Sequence, residues 1–550
     1  MDRVARAGGI PDPGAADEPR VVVAGGGLSG LATAVGAALL GRLVTLFESS
    51  GLLGGAAAYS GGQVWVGANH VAAREGIDDD LTRAESYVRG IARAHPQLLD
   101  EPAMRRWLTT APEAMRYWER AGAVRWALIA GLADYHADVP GALAAGRYLT
   151  GEPVAAQSLG DWRDRLRVSP YFTMGTTYAE LFAKGRRTTA AGDGGQDRLT
   201  FGTGLVAGFL ARALALDRVE ILPARPVTEL VLDRRGGVIG ARANGPAGPV
   251  QRSGPVVLAT STYDWNPGLV RDFLGLDPGD FGSMAPDTLR GDAIRLARSA
   301  GGAVARIPAS CVPLVPGWPE PDGTGFENGP EYAMPHAIIV DSSGRRFCDD
   351  SYWPSIVPRV VDPDRPHRPF FLICDDQHRR KYGLGSTPPG GEYPPGIVTS
   401  APALRELGAA LGIDGAQLEA TVAAFNHHAA RGEDPEFGRG GVDFVRRFSG
   451  DPAHEPNPVL GPLREPPFHG LRLRLLGTGI GSTGVRIDGD GHVLTDAGLA
   501  VPGLYAVGSC AAATTFGSGY NSGFALGRGL TLAYLVAREV GRQADPPATG

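Results

Sequence analysis

Residues 21–50 read VVVAGGGLSGLATAVGAALLGRLVTLFESS, and this stretch decides the fold of the chain. It opens with a short run of valines, which predicts a strand buried on both faces. Gly25, Gly27 and Gly30 follow at the spacing G-x-G-x-x-G, and apolar residues at helical spacing predict a helix after them. The first glycine permits a tight turn, the second lets a pyrophosphate approach the backbone, and the third allows helix and strand to pack closely. The amino end of such a helix attracts phosphate.

An acidic residue completes the pattern. Residues 43–47 predict a second strand that ends at Glu48, about 20 residues beyond the turn, where a carboxylate can accept hydrogen bonds from a ribose hydroxyl. One alternative is a membrane span, since about 20 apolar residues would suffice. Six glycines between residues 25 and 41, with Ser29 and Thr33 among them, favour a β-α unit instead. A glycine-rich turn in an unrelated α/β protein would leave Glu48 unexplained, so the stretch predicts dinucleotide binding.

Composition indicates a globular protein with more than one structural unit. The chain has 550 residues, of which 43% are hydrophobic and 20% charged. A net charge of −6 without a basic run gives no reason to expect a nucleic-acid partner. The four cysteines form no CxxC pair, so we expect no metal site and no disulfide framework. A reducing cytoplasm is the expected location.

The pattern of the chain predicts three segments in two domains. Residues 1–19 lack an apolar run, which predicts a disordered tail without a signal peptide, and no transmembrane segment is expected. After residue 301 the composition changes to prolines, aromatics and turns. We therefore predict a nucleotide-binding domain from residues 20–301 and 466–550. Residues 302–465 would form a second domain.

A second glycine-rich stretch lies soon after Glu48. Residues 51–67 read GLLGGAAAYSGGQVWVG, and small residues there let another length of backbone lie against a flat cofactor. Ser60, Gly61 and Gly62 are the predicted contacts. The alternative is a flexible surface loop, which fits poorly with the apolar segment that follows.

These pieces together resemble a known family. The order of GGGLSG, Glu48, GGAAAYSGG, PVVLAT, GLYAVGS and a closing helix resembles the fumarate reductase and succinate dehydrogenase flavoprotein superfamily. Within it, the chain is most similar to bacterial 3-ketosteroid dehydrogenases of the type that acts between carbons 4 and 5. The resemblance implies an α/β fold, with a doubly wound, Rossmann-like FAD-binding domain. An inserted α+β catalytic domain, here residues 302–465, would cover the flavin and the substrate.

The resemblance also implies how FAD is held. The amino end of the closing helix would face the pyrimidine edge of the flavin and stabilise its negative charge when reduced. Relatives with covalent flavin carry a histidine before the second glycine pair, whereas residues 55–59 read GAAAY, so we expect non-covalent FAD. The implied FAD contacts are Gly25, Gly27, Leu28, Ser29, Gly30, Glu48, Ser60, Gly61, Gly62, Val227, Gly508 and Leu526.

Two blocks separate this chain from true fumarate reductases, which need cationic side chains for two carboxylates. Their histidine-bearing block corresponds to residues 477–482, which read GTGIGS and hold no histidine or arginine. Their last-loop arginine is replaced within residues 519–523, GYNSG. This loop resembles the Tyr-x-Ser element of the 4,5-dehydrogenases, and the Tyr-Pro-Gly-Pro-Gly loop of the 1,2-acting relatives is absent. A dicarboxylate substrate is therefore not expected.

Dehydrogenation beside a ketone requires a base for the α-proton, a hydride acceptor such as flavin N5, and a donor to the ketone oxygen. We predict Tyr520 as the base and Ser522 as its relay, while the resemblance implies that Tyr332 polarises the carbonyl. Against these stand a packing tyrosine, a helix-capping serine and a core tyrosine. Tyr135 is a further candidate base, although a structural aromatic is the more common role for such a residue.

The predicted function is thus an FAD-dependent dehydrogenase that acts on a 3-ketosteroid-like polycyclic ketone. An ene-reductase or dehydrogenase of a non-steroid natural product is the alternative within the same class. A flavoprotein that only binds a partner is the alternative from another class. The expected partners are an apolar ketone and an external electron acceptor, since no second G-x-G-x-x-G suggests a dedicated NAD(P)H site.

Overall fold

A six-stranded sheet carries the glycine turn. In the computed structural model, which describes residues 20–172, 175–183, 197–323 and 325–542, all its strands but the first run parallel. The predicted tail, residues 1–19, lies outside the described residues. The strands follow the order His492–Leu494, Ala500–Ala506, Val256–Leu258, Arg20–Ala24, Leu43–Phe47 and Val219–Leu222.

Both faces of this sheet are covered. On one side the helix Leu28–Leu39, here called the first helix, packs against Phe201–Leu214 and against Phe524–Arg542, the closing helix. On the other side lies a three-stranded antiparallel sheet of Val227–Leu232, Val238–Ala243 and Val250–Ser253. The valines of the first strand are at most 1% exposed, as expected for a strand between two layers.

The glycine turn has the predicted geometry. Gly25 has a φ of +118°, a backbone conformation that side chains other than hydrogen rarely tolerate. A Cβ atom on Gly30 would lie 2.0 Å from the carbonyl oxygen of Gly25, so only glycine lets the first helix start this close to its strand. The third glycine therefore serves the packing of helix and strand.

A second sheet of seven strands forms the cap. Its centre is the ten-residue strand Phe468–Gly477, and the strand Phe370–Asp375 beside it is buried along its whole length. The other strands are Phe281–Ser283, Val315–Pro319, Phe326–Glu327, Ala337–Asp341 and Thr399–Ala401. Helices Trp353–Val360, Asp376–Lys381, Leu404–Leu411, Gly415–Ala429 and Asp443–Phe448 complete it. The predicted fold, an α/β nucleotide-binding domain with an α+β insertion, is confirmed.

The hydrogen bonds of the cap sheet extend beyond residues 302–465. The strand Phe468–Gly477 pairs with strands inside that interval, and Phe281–Ser283 pairs with Phe468–Gly477 from the other side. The predicted domain limits stay a prediction. This pairing favours a cap that also takes in these two strands.

Helices and a small sheet lie beside the closing helix. Leu81–Ile91 and Glu101–Arg120 are amphipathic, and Glu101–Arg120 packs against the closing helix. The strands Val64–Trp65, Tyr148–Gly151 and Trp126–Leu128 form a three-stranded antiparallel sheet. No helix in the described part of the chain is both long enough and apolar enough to cross a bilayer.

Candidate active site

A cavity of about 350 Å³ lies where the glycine turn, the amino end of the closing helix and the cap meet. It brings together all the predicted cofactor residues except Gly30, whose place is under the turn. Those that line it are Gly25, Gly27, Leu28, Ser29, Glu48, Ser60, Gly61, Gly62, Val227, Gly508 and Leu526.

The glycine turn offers a surface for a pyrophosphate. Gly27 precedes the first helix, whose first backbone N–H groups have no partners within the helix. A Cβ atom on Gly27 would find no protein atom closer than 3.9 Å, and the residue lines the cavity. A side chain there would therefore occupy the cavity and leave the protein packing intact.

Glu48 is held in one orientation at the end of its strand. One carboxylate oxygen accepts from the backbone N–H of Gly26 at 2.8 Å, and the other from that of Ser50 at 2.9 Å. The side chain is 7% exposed and lines the cavity. Its remaining lone pairs suit ribose hydroxyl groups.

Asn521 joins the loops that bear the candidate catalytic residues. It is fully buried, and its Oδ1 accepts from the Tyr87 hydroxyl at 2.7 Å and from the Tyr135 backbone N–H at 2.8 Å. Its Nδ2 donates to the hydroxyl of Tyr148 at 2.8 Å. This one amide holds the loop before the closing helix against the loop of Tyr135.

A buried ion-pair cluster supports the loop of Tyr135 from behind. Arg147, 1% exposed, bonds Asp134 at 2.9 Å and Asp79 at 2.7 Å, and the indole N–H of Trp65 donates to Asp134 at 2.7 Å. Burial raises the pKa of Asp134, although Arg147 opposes that effect. Because Asp134 directly precedes Tyr135, the cluster fixes the backbone that carries the tyrosine.

The Ser522 hydroxyl donates a hydrogen bond to the side-chain carbonyl of Gln63. Burial raises the pKa of Tyr135 to about 12, and the nearby Ser522 hydroxyl works against this rise. Gln63 lines the cavity and was missed by the sequence reasoning, although it directly follows the predicted contact Gly62.

Tyr520 lines the same cavity in an aromatic setting. Its ring lies 6.1 Å from that of Trp353 and 6.2 Å from that of Phe524, measured between centroids. Burial, together with Tyr135 nearby, raises the pKa of Tyr520 well above its ordinary value. No hydrogen bond within the described chain involves its hydroxyl, which leaves that group available to a bound molecule.

Tyr332 has a different position from the other two candidates. It is 8% exposed and is not among the residues that line the cavity. Burial and the neighbouring Tyr135 raise the pKa of its hydroxyl. Its predicted role in polarising a carbonyl stays a prediction.

The cap side of the cavity is aromatic and uncharged. Over the residues that the structure describes, the lining includes no arginine, lysine or histidine, and its ionisable carboxylates are Glu48 and Asp292. The Thr478 hydroxyl is buried without a hydrogen-bond partner among the described residues and can serve a ligand. The cap contributes Pro313, Val315, Asn328 and Trp353, and Tyr171 and Phe172 join them.

The family model for the FAD binding domain matches residues 20–527. The chain belongs to this family. Its cofactor is thus FAD, and the cavity fits it, with helix amino ends and Gly27 for the pyrophosphate and Glu48 for the ribose. The expected flavoprotein superfamily is confirmed.

Named members of the FAD binding domain family resemble the chain along almost its whole length. A 4-oxocyclohex-2-ene-1-carboxylate 5-dehydrogenase of Sinomonas cyclohexanicum is 30% identical, over 96% of this chain and 95% of its own. A 3-oxosteroid 1-dehydrogenase of Mycobacterium tuberculosis is 26% identical, over 95% and 98%. The protein is an FAD-dependent oxidoreductase of the class that acts on CH–CH groups, as predicted.

A solved structure supports the fold. The 3-ketosteroid delta1-dehydrogenase from Sterolibacterium denitrificans, in complex with 1,4-androstadiene-3,17-dione, superposes with a TM-score of 0.85 at 24% identity. The match covers 95% of this chain and 99% of that one. The predicted specificity for carbons 4 and 5 stays a prediction, because this structure and the mycobacterial relative are named for position 1.

Replacing Gly27 by valine tests the cofactor site. The protein should fold, because the new side chain meets no protein atom closely, yet it should lose most of its FAD to the intrusion into the cavity. The ratio of flavin to protein absorbance after purification measures this. Gly51→Val, at an exposed position with open space around it, is the control and should keep its FAD. Full flavin content in Gly27→Val would contradict the assigned pyrophosphate site.

Proposed function

We propose that the protein introduces a C=C bond next to the ketone of an uncharged polycyclic substrate of the 3-ketosteroid type. One observation carries this proposal. The cavity that holds the FAD contacts is also lined by Tyr135, Tyr520 and an aromatic cap wall, with no cationic side chain among its described lining residues. Such a surface suits an apolar ketone and gives a carboxylate no partner.

The two tyrosines suit different steps. Bound FAD supplies the two-electron acceptor. The Ser522 hydroxyl, which donates to Gln63 in this structure, can turn to a Tyr135 phenolate and favour the charged form, so we propose Tyr135 as the base for the α-proton. Tyr520 has no such donor and stays a neutral phenol. A neutral phenol can donate to the ketone oxygen and stabilise the enolate that forms.

This assignment departs from the sequence interpretation, in which Tyr520 was the base. The reason is the position of Ser522, whose hydroxyl donates to Gln63 and lies near enough to Tyr135 to lower its pKa. Ser522 as a relay is retained, with Tyr135 as the group it serves. Tyr332 lies close to Tyr135 but outside the cavity lining, so it would help to position Tyr135.

A second candidate substrate class is a small ring ketone that carries a carboxylate. The 30% identity to the Sinomonas cyclohexanicum enzyme favours it. The described lining of the cavity opposes it, because it offers no cationic side chain to a substrate carboxylate. An uncharged non-steroid polycyclic ketone, reduced or oxidised, fits the same cavity as a steroid does.

We further propose that FAD is bound non-covalently. The groups of this family that form covalent flavin links are expected to be histidines near the second glycine pair. The described lining of the cavity contains neither histidine nor cysteine. The natural electron acceptor and a location in the cytoplasm stay predictions; the four cysteines form no disulfides.

Denaturation tests the mode of FAD attachment. Acid or heat should release the flavin into the supernatant, because the part of the chain that the structure describes brings no histidine or cysteine to the cavity. Absorbance of the supernatant, compared with that of the redissolved pellet, measures the partition. Yellow colour that stays with the precipitated chain would show a covalent link, and the tyrosines of the lining would then be its candidates.

A substrate panel tests the proposed class. Under anaerobic conditions an uncharged 3-ketosteroid should bleach the flavin absorbance. In contrast, 4-oxocyclohexanecarboxylate and succinate should leave the flavin oxidised, since the described lining of the cavity offers no cation to a carboxylate. The matched control is the methyl ester of the same ring acid, which removes only the charge. Bleaching by the free acid, but not by its ester or any steroid, would overturn the proposal in favour of the carboxylate class. Steroids unsaturated at position 1 or at position 4 identify the bond.

Substitution of the tyrosines tests their roles. Tyr135→Phe should slow flavin reduction by substrate at least ~100-fold, the lower end of what a positioned acid–base group contributes, and should abolish its pH dependence. In the native enzyme a base with a pKa of about 12 makes this rate rise with pH through the neutral and alkaline range. Tyr520→Phe should also cost about 10²–10³-fold but should keep the rise with pH. Stopped-flow flavin reduction measures both.

Tyr352→Phe is the matched control, since that hydroxyl is buried, has no hydrogen-bond partner among the described residues and lies outside the cavity lining. Its reduction rate should equal that of the native enzyme. If the rise with pH disappears in Tyr520→Phe and persists in Tyr135→Phe, Tyr520 is the base and our assignment of the two tyrosines is wrong.

A further inference from the structure

A buried cation lies directly behind the wall of the FAD cavity. Arg528, in the closing helix, is 3% exposed, and its guanidinium is surrounded by neutral oxygen atoms. Within the described chain it forms no ion pair. Its acceptors are the Thr515 hydroxyl at 2.8 Å and the carbonyls of Ala512 at 2.8 Å, Ala511 at 3.2 Å and Gly508 at 3.5 Å.

The guanidinium remains charged at neutral pH. Burial lowers the pKa of Arg528, to about 10, and Cys510 and the more distant Asp100 counter that effect only in part. Removing a charge from water is costly unless polar groups compensate, and an apolar side chain in the same place would avoid that cost. The four oxygen acceptors offset part of the cost, but they could be satisfied by an uncharged donor and do not by themselves require a charge.

Its surroundings connect the cation to the cofactor site. Gly508, which accepts from the guanidinium, lines the cavity together with Ser509. Ala525 and Leu526 line it from the first turn of the same helix, whose amino end carries a partial positive charge. The full charge of Arg528 and the partial charge of the helix thus lie behind one wall.

We propose that Arg528 is a fixed positive charge that raises the reduction potential of the bound FAD. Reduction adds negative charge to the flavin, and a nearby cation that water does not screen favours the reduced form. Arg528 acts here through the electrostatic field and does not contact the substrate. The proposal rests on the FAD site alone, so its failure would leave the proposed dehydrogenation untouched.

Thr515 provides a matched pair of variants that leaves Arg528 in place. Thr515→Asp places a carboxylate beside the guanidinium and offsets its positive charge. Thr515→Asn introduces a side chain of nearly the same shape as aspartate but without the charge. Reductive titration of the holoenzyme against a reference dye measures the potential. We expect the equilibrium constant for flavin reduction to be at least tenfold lower in Thr515→Asp than in Thr515→Asn. This corresponds to a reduction potential that is about 30 mV lower for two electrons. Sulfite is an anion that adds to oxidised flavin, so it should bind at least ~10-fold more weakly to Thr515→Asp than to Thr515→Asn.

A second pair alters the cation itself. Arg528→Lys keeps the charge and should keep the native reduction potential. Arg528→Gln keeps a donor for the carbonyls but loses the charge, so its reduction potential should be lowered as in Thr515→Asp. If one pair fails to retain FAD, the other decides. Equal potentials within a pair would overturn the proposal. So would loss of FAD from both Thr515→Asp and Arg528→Gln, which would give the cation a role in folding alone.

Discussion

The structure depends on the close approach of the amino ends of two helices that lie almost 500 residues apart in sequence. A Cβ atom added to Gly508 or Gly529 would lie 2.8 Å or 2.6 Å from the Ser29 hydroxyl oxygen, so glycines let these segments approach without moving that side chain. Both helix ends carry partial positive charge, and bringing them together without an anion is unfavourable. A dinucleotide brings a pyrophosphate, and a reducible flavin takes on further negative charge. The same constraint that closes the fold thus selects the cofactor.

The chemistry depends on a second constraint, the burial of several tyrosines around one cavity. Burial disfavours every phenolate, so the tyrosine that gains a specific donor becomes the best base. In the mechanism we propose, Ser522 provides that donor to Tyr135, while Tyr520 stays neutral. Such a difference is useful only if the hydroxyls cannot drift. Asn521 in front and the Asp134–Arg147 ion pair behind supply the rigidity, since each is buried and fully hydrogen-bonded.

Spacing within one segment was enough to bring the glycine turn and Glu48 to one cavity, while their roles toward FAD stay a prediction. The nearness of Ser522 to Tyr135 could not be obtained in this way, because the two residues are distant in sequence and meet only through the folded loop of Asn521. The strand Phe468–Gly477 illustrates the same limit, since its pairing partners come from segments that are distant in sequence.

Sequence similarity favours a ring ketone that carries a carboxylate as the substrate, whereas the lining of the cavity favours an uncharged ketone. An identity of 30% along the whole chain reflects the fold and the flavin chemistry, which the carboxylate enzyme and the steroid enzymes share. Specificity rests on a few side chains that such an average hardly registers. A substrate carboxylate buried in this cavity would lack any compensating cation in the described lining. Arg528 does not supply one, because the carbonyls of residues 508–512 occupy its donors and separate it from the cavity. The cation that we propose acts on the flavin through its field is therefore unable to bind a substrate carboxylate, which supports our proposal of an uncharged ketone as the substrate.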